Sequence, residues 1–145
     1  MNPEQIIRDS IAAFNARDEA KAFKDFADDL VVNNFMPQPI GLEEFKALNA
    51  VNLAAFPDWH FDIKQMQTQG NKTTVTVQVT GTQKGPINMP GMPPIPASGK
   101  KVSVPDKFIC TISADNKLHQ MDFDSPPGGG FAGVLQQLGI QMPGM

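Results

Sequence analysis

The sequence predicts an α+β domain, because a mostly helical hydrophobic periodicity gives way to strand alternation at Trp59. Apolar residues recur at helical spacing as far as Phe56 and then at every second position from Trp59 onward, in runs joined by short turns. Helices followed by an antiparallel meander with one apolar face predict a sheet packed on its helices around an apolar, small-molecule-sized pocket. At 145 residues, with 41% hydrophobic and 19% charged, the chain fits one domain with a core of its own.

The first helix is announced by Asn2-Pro3-Glu4-Gln5. Asn stands at the N-cap, Pro at the first helical position and Gln at the third, and Ile7, Ile11 and Phe14 then share a face up to about Ala16. Asp18 is placed to cap a second helix, in which Phe23, Phe26, Ala27 and Leu30 fall at i, i+3, i+4 and i+7. Leu30 to Phe35 is a short β-prone run closed by Pro37 and Pro39. Leu42, Phe45, Leu48, Leu53 and Phe56 mark a third helix that Pro57 ends.

Trp59, Phe61 and Ile63 alternate with His60, Asp62 and Lys64 and lead to a turn at Gln69-Gly70-Asn71. Val75, Val77 and Val79 alternate with threonines and Gln78 in the returning strand. A third strand spans about 101 to 112, a turn falls at Asp115-Asn116, and a fourth strand spans about 117 to 123. Between strands two and three lies GPINMPGMPPIPASG, residues 85 to 99, with five prolines and three glycines yet also Ile87, Met89, Met92 and Ile95. Such an apolar loop either covers a pocket mouth or partner, or folds on its own core. Residues 1–125 are expected to form the domain. Residues 126–145 form a Pro/Gly hinge and an amphipathic tail helix carrying Phe131, Val134, Leu135 and Leu138, to pack on the domain or on a partner.

Composition narrows the function. The net charge is −3 and the basic residues are scattered, which argues against nucleic-acid binding. No apolar run approaches 18 residues, so no membrane span is expected. The N-terminus lacks the basic and apolar regions of a secretory leader, and the expected location is cytoplasmic. Cys110 is the one cysteine, so disulfides and thiolate metal clusters are not expected. His60 and His119 lie on separate predicted strands without ligand spacing, and neither metal nor cofactor is implied.

Four stretches, AFPDWHFDI (55–63), GKKVSVPDKF (99–108), NKLHQMDFD (116–124) and VLQQLG (134–139), resemble in order and spacing the SnoaL-like polyketide cyclases of the nuclear-transport-factor-two-like superfamily. The resemblance implies a cone-shaped sheet packed on three N-terminal helices, a pocket at the wide end and a homodimer through the outer sheet face. It also implies an acid/base aspartate near the last strand for an intramolecular aldol condensation, often with a histidine on the neighbouring strand. The family's aspartate position falls near Pro126 and its polar position on the preceding strand near Phe108, so that pair is displaced or missing.

Asp122 and Asp124 are the carboxylates left on the last strand. They enter the pocket only if Leu118 does, whereas an inward set of His119, Met121 and Phe123 would make His119 the polar group there. Trp59 travels with Phe61 and Ile63, so it is expected to wall the pocket while His60 and Asp62 face outward. The expected lining is Phe14, Trp59, Phe61, Val77, Phe108 and Met121. Asp106, following Pro105, reads as a turn or bulge residue, with a functional role as the alternative. The absence of tyrosine and of strand arginine departs from the ketosteroid isomerases, the scytalone-dehydratase-like members and the epoxide hydrolases of this fold. Binding of a hydrophobic small molecule is the expected function. The alternatives are a cyclase or isomerase using an Asp acid/base, and a protein-association module.

Overall fold

The computed structural model describes residues 2–36, 38–88 and 93–140. Along the chain they form α1 (Pro3–Asn15), α2 (Glu19–Ala22), β1 (Phe26–Asn33), α3 (Leu42–Ala55), β2 (His60–Gln69), β3 (Lys72–Thr82), β4 (Lys101–Ile112), β5 (Leu118–Phe123) and α4 (Gly130–Gln137). The strands make one curved, unclosed sheet in the order β1-β5-β4-β3-β2. All neighbours are antiparallel except β1, which runs parallel to β5.

Local chemistry starts the helices where expected. The Asn2 side chain accepts from the Gln5 N–H at 2.7 Å, and Asp18 accepts from the Lys21 N–H at 3.2 Å. The second helix is much shorter than its apolar spacing predicts, because α2 stops at Ala22 and Phe26, Ala27 and Leu30 belong to β1. Leu30 and Val32 are fully buried beside β5, and the pairing slips between Phe26 and Val31. An irregular strand can mimic helical spacing in the sequence, and the sheet's need for a partner along β5 decides the outcome.

The loop at 85–99 turns its described ends onto the core. Ile87 and Ile95 pair as an isolated bridge and are buried. The wholly buried Gln83 donates to the carbonyls of Gly85 and Pro96 and accepts from Ser98. Met89 and Met92, expected to add to the loop's apolar surface, lie outside the described residues.

Pro105 sits inside β4, where a missing N–H should cost a ladder bond. It does not, because the N–H groups of Ser103 and Lys107 on either side of it point away from β3. Ser103 is held there by Gln137 of α4, which accepts from its N–H at 2.8 Å and donates to its carbonyl at 2.7 Å. The α4 helix thus takes the place β5 would fill if it were longer, with Val134, Leu135 and Leu138 buried beneath it.

Candidate functional site

The inner face of the sheet is set by alternation. Val75, Val77 and Val79 of β3 lie opposite Phe108, Asp106 and Val104 of β4, so side chains at 102, 104, 106, 108, 110 and 112 leave β4 on the same side. Five of those six are apolar and buried. Asp106 is the exception.

Between this face and the helices lie two adjoining hollows. One, of about 90 Å³, is walled by α1, α3 and the β4–β5 end of the sheet, including Phe14, Phe26, Phe108, Cys110 and Met121. The other, of about 100 Å³, reaches Trp59, Val79, Val104, Phe131 and Val134. Phe45, Asn49, Phe61, Asp106 and Phe123 line both, which puts Asp106 at the waist. The remaining polar walls are Ser10 and Asp25 in the first lobe and Asn52 in the second.

Two donors fix the Asp106 carboxyl, and both act on Oδ1. The Lys107 N–H, which faces the stretch of β4 edge that β5 does not cover, donates at 2.8 Å, and the Ser125 hydroxyl donates at 2.6 Å. The turn around Gly128–Gly130 closes above them. Gly130 has φ +62°, and a Cβ there would stand 2.4 Å from Ser125 Oγ, so both backbone and space require glycine. Burial pushes the Asp106 pKa up, outweighing the two hydrogen bonds that pull it down. Burial, with the Asp122 charge adding to it, also pushes the Cys110 thiol up, to about 12.

Of the six residues expected to wall the pocket, Phe14, Phe61, Phe108 and Met121 line the first lobe, and Trp59, with Phe61 again, the second. Val77 is fully buried beneath Asp106 in register and lies outside the lining. The three expected polar candidates face elsewhere. A bulge between Thr111 and Ile112 places Leu118, rather than His119, in phase with Met121 and Phe123. His119 leaves on the outer side, its Nδ1 2.8 Å from Asp29 and its Nε2 2.8 Å from Asp115. Both carboxylates raise its pKa, Asp115 more than Asp29. Asp122, paired with Ile109, accepts from Asn33 at 2.7 Å and from Gln120 at 2.9 Å. Asp124 pairs with Lys107 Nζ at 3.2 Å. The sequence places Asp106 behind the last-strand acids because Pro105-Asp106 reads as a turn, although its place in the alternation from Val102 to Ile112 marks it as inward.

Among the described residues no three His, Cys, Asp or Glu side chains converge as a metal site, and no helix is long and apolar enough to cross a membrane.

The pattern of the SnoaL-like polyketide cyclases matches residues 4–120. The chain belongs to that family. Among solved structures it is similar to AclR from Streptomyces galilaeus, at 20% identity over 94% of this chain and 95% of that one, with a TM-score of 0.77. A SnoaL-like polyketide cyclase from Agrobacterium tumefaciens superposes with a TM-score of 0.72 at 15% identity, over 95% of this chain and 98% of its own. An uncharacterized cystatin fold protein from Novosphingobium aromaticivorans gives 0.62 at 21%, over 86% and 98%. At these identities the likeness shows the fold. No curated protein matches the chain.

Proposed function

We propose that this SnoaL-like domain binds a hydrophobic small molecule in the two-lobed hollow between helices and sheet, with Asp106 as its polar anchor. The observation that carries this reading is a lone carboxyl at the waist of two aromatic-walled lobes. A dry cavity of about 150 Å³ suffices for a benzene ring, so the two lobes together suit a compact fused bicycle. Trp59, the chain's sole tryptophan, lines the second lobe and reports on occupancy. Titration with 2-indanol should shift Trp59 emission saturably, and Val104→Phe, which fills the second lobe, should abolish the shift while the protein stays folded. No response in the wild type, or an undiminished one in the filled variant, refutes the proposal.

A second reading has its own observation. A carboxyl whose pKa is raised by burial, and whose Oδ2 has no hydrogen-bond partner among the described residues, is suited to move a proton α to a carbonyl. In this reading Asp106 takes the acid/base role that the resemblance assigns to the last strand. Exchange of the α-hydrogens of 1-indanone in D2O should be accelerated by the wild type and not by Asp106→Asn; equal rates in both would exclude Asp106.

A further inference from the structure

Of the two carboxyls that line the hollow, Asp106 is the one without an ion pair among the described residues. Asp25, which lines the first lobe, has Lys24 Nζ at 3.6 Å. Asp124 has Lys107 at 3.2 Å. That second pair matters most, because Lys107 is the immediate neighbour of Asp106 in sequence and alternation carries it to the opposite face of the sheet. Among the described residues no Lys, Arg or His forms an ion pair with Asp106, and its two hydrogen bonds come from a neutral hydroxyl and a backbone N–H. The side chains that share the waist with it are the rings of Phe45, Phe61 and Phe123 and the amide of Asn49.

Aromatic rings present a negative face, which attracts a cation and repels an anion. A carboxylate among such rings, with its own lysine turned away, is complementary to an ammonium group on an apolar frame. We infer that the ligand of this hollow is a lipophilic amine, its protonated nitrogen on Asp106 Oδ2 at the waist and its hydrocarbon in the lobes on either side. This rests on the reading of the hollow as a binding site and adds the chemical class of what enters it. The upward pull of burial on Asp106 fits the same picture, since an arriving cation would supply the compensation that the protein withholds. A carboxylate ligand would meet repulsion from Asp106. A neutral alcohol would keep one hydrogen bond and lose the charge.

Three probes on one frame separate these cases. Calorimetric titration of the wild-type protein at neutral pH with 2-aminoindane, 2-indanol and indane-2-carboxylate should show the amine binding about tenfold tighter than the alcohol, the difference between a charge-assisted and a neutral hydrogen bond. The carboxylate should not bind measurably. Asp106→Asn should bind the alcohol and lose the preference for the amine. Wild-type protein that binds the alcohol as tightly as the amine or tighter, or an Asn variant that keeps the preference, overturns the inference while leaving the hollow as a binding site. If none of the three binds, the binding site falls with it. The wild-type comparison decides the matter even if the Asn variant fails to fold.

Discussion

Val77 and Asp106 face one another across β3 and β4, and that pairing sends a carboxyl out of the sheet on the same side as Val104 and Phe108. Its position has a thermodynamic consequence. The folded state holds the proton of Asp106 more tightly than the unfolded chain, whose value is near 3.8. The full stability is therefore present below pH 3.8, and it declines as pH rises through the folded-state value. Asn at this position keeps an oxygen for Ser125 and Lys107 and has no charge to bury. Asp106→Asn should melt above the wild type at pH 7, by about 2–4 °C for each kcal/mol gained, and the gap should close by about pH 3.5 on the same scale of linkage. Thermal denaturation at both pH values checks this.

His119 bridges β1 and the β4–β5 turn through Asp29 and Asp115. Its folded-state pKa lies above the ordinary 6.5, so its contribution is whole below that value and fades as pH rises through the higher one. Seen from Asp115, whose pKa is lowered below 3.8 chiefly by the His119 hydrogen bond, the same contact is lost as acid protonates the carboxylate. Urea denaturation of His119→Gln beside wild type should show the largest stability deficit between pH 3.8 and 6.5, shrinking on both sides.

Cys110 is inert when folded. Its thiol, fully buried and held near 12, offers almost no thiolate at pH 8. Iodoacetamide should label the protein only as fast as it unfolds, and denaturant should bring labelling to completion; fast native labelling would contradict the burial of the Cys110 thiol.

Gln137 ties α4 to the uncovered edge of β4 by donating and accepting at once. Gln137→Ala should cost about 1–2 kcal/mol for the two bonds. Gln137→Glu should cost more, since an oxygen then faces the Ser103 carbonyl. Both should speed proteolytic cleavage in the 126–130 turn, with the order Glu, Ala, wild type.

The sequence made β2, β3 and β4 legible because one face of each is apolar and the other polar, and period two survives any detail of packing. It misled at β1, where Phe23, Phe26, Ala27 and Leu30 satisfy a helical spacing although a slipped strand holds the last three. A bulge and a turn of helix both bring residues three and four apart to one side, and only the distant partner β5 distinguishes them. The candidate site was hidden by a similar local cue. Pro105-Asp106 has the composition of a turn, yet Pro105 points its missing N–H at the edge covered by α4, so the strand runs on and carries Asp106 inward. The outward turn of His119 has the same origin, in a bulge that no local pattern records.

The parallel union of β1 with β5 also sets the order of assembly. Asn33 and Asp122 are joined by a hydrogen bond between positions 89 residues apart, and between them lie three other strands of the same sheet. As the chain leaves the ribosome, β1 is made among the first elements and can form its Val32–Ile40 bridge early, but its partner strand in the sheet is almost the last to appear. Until then Leu30 and Val32 lack the sheet that buries them in the folded domain. A chain cut short before residue 118 would leave β1 without its partner strand.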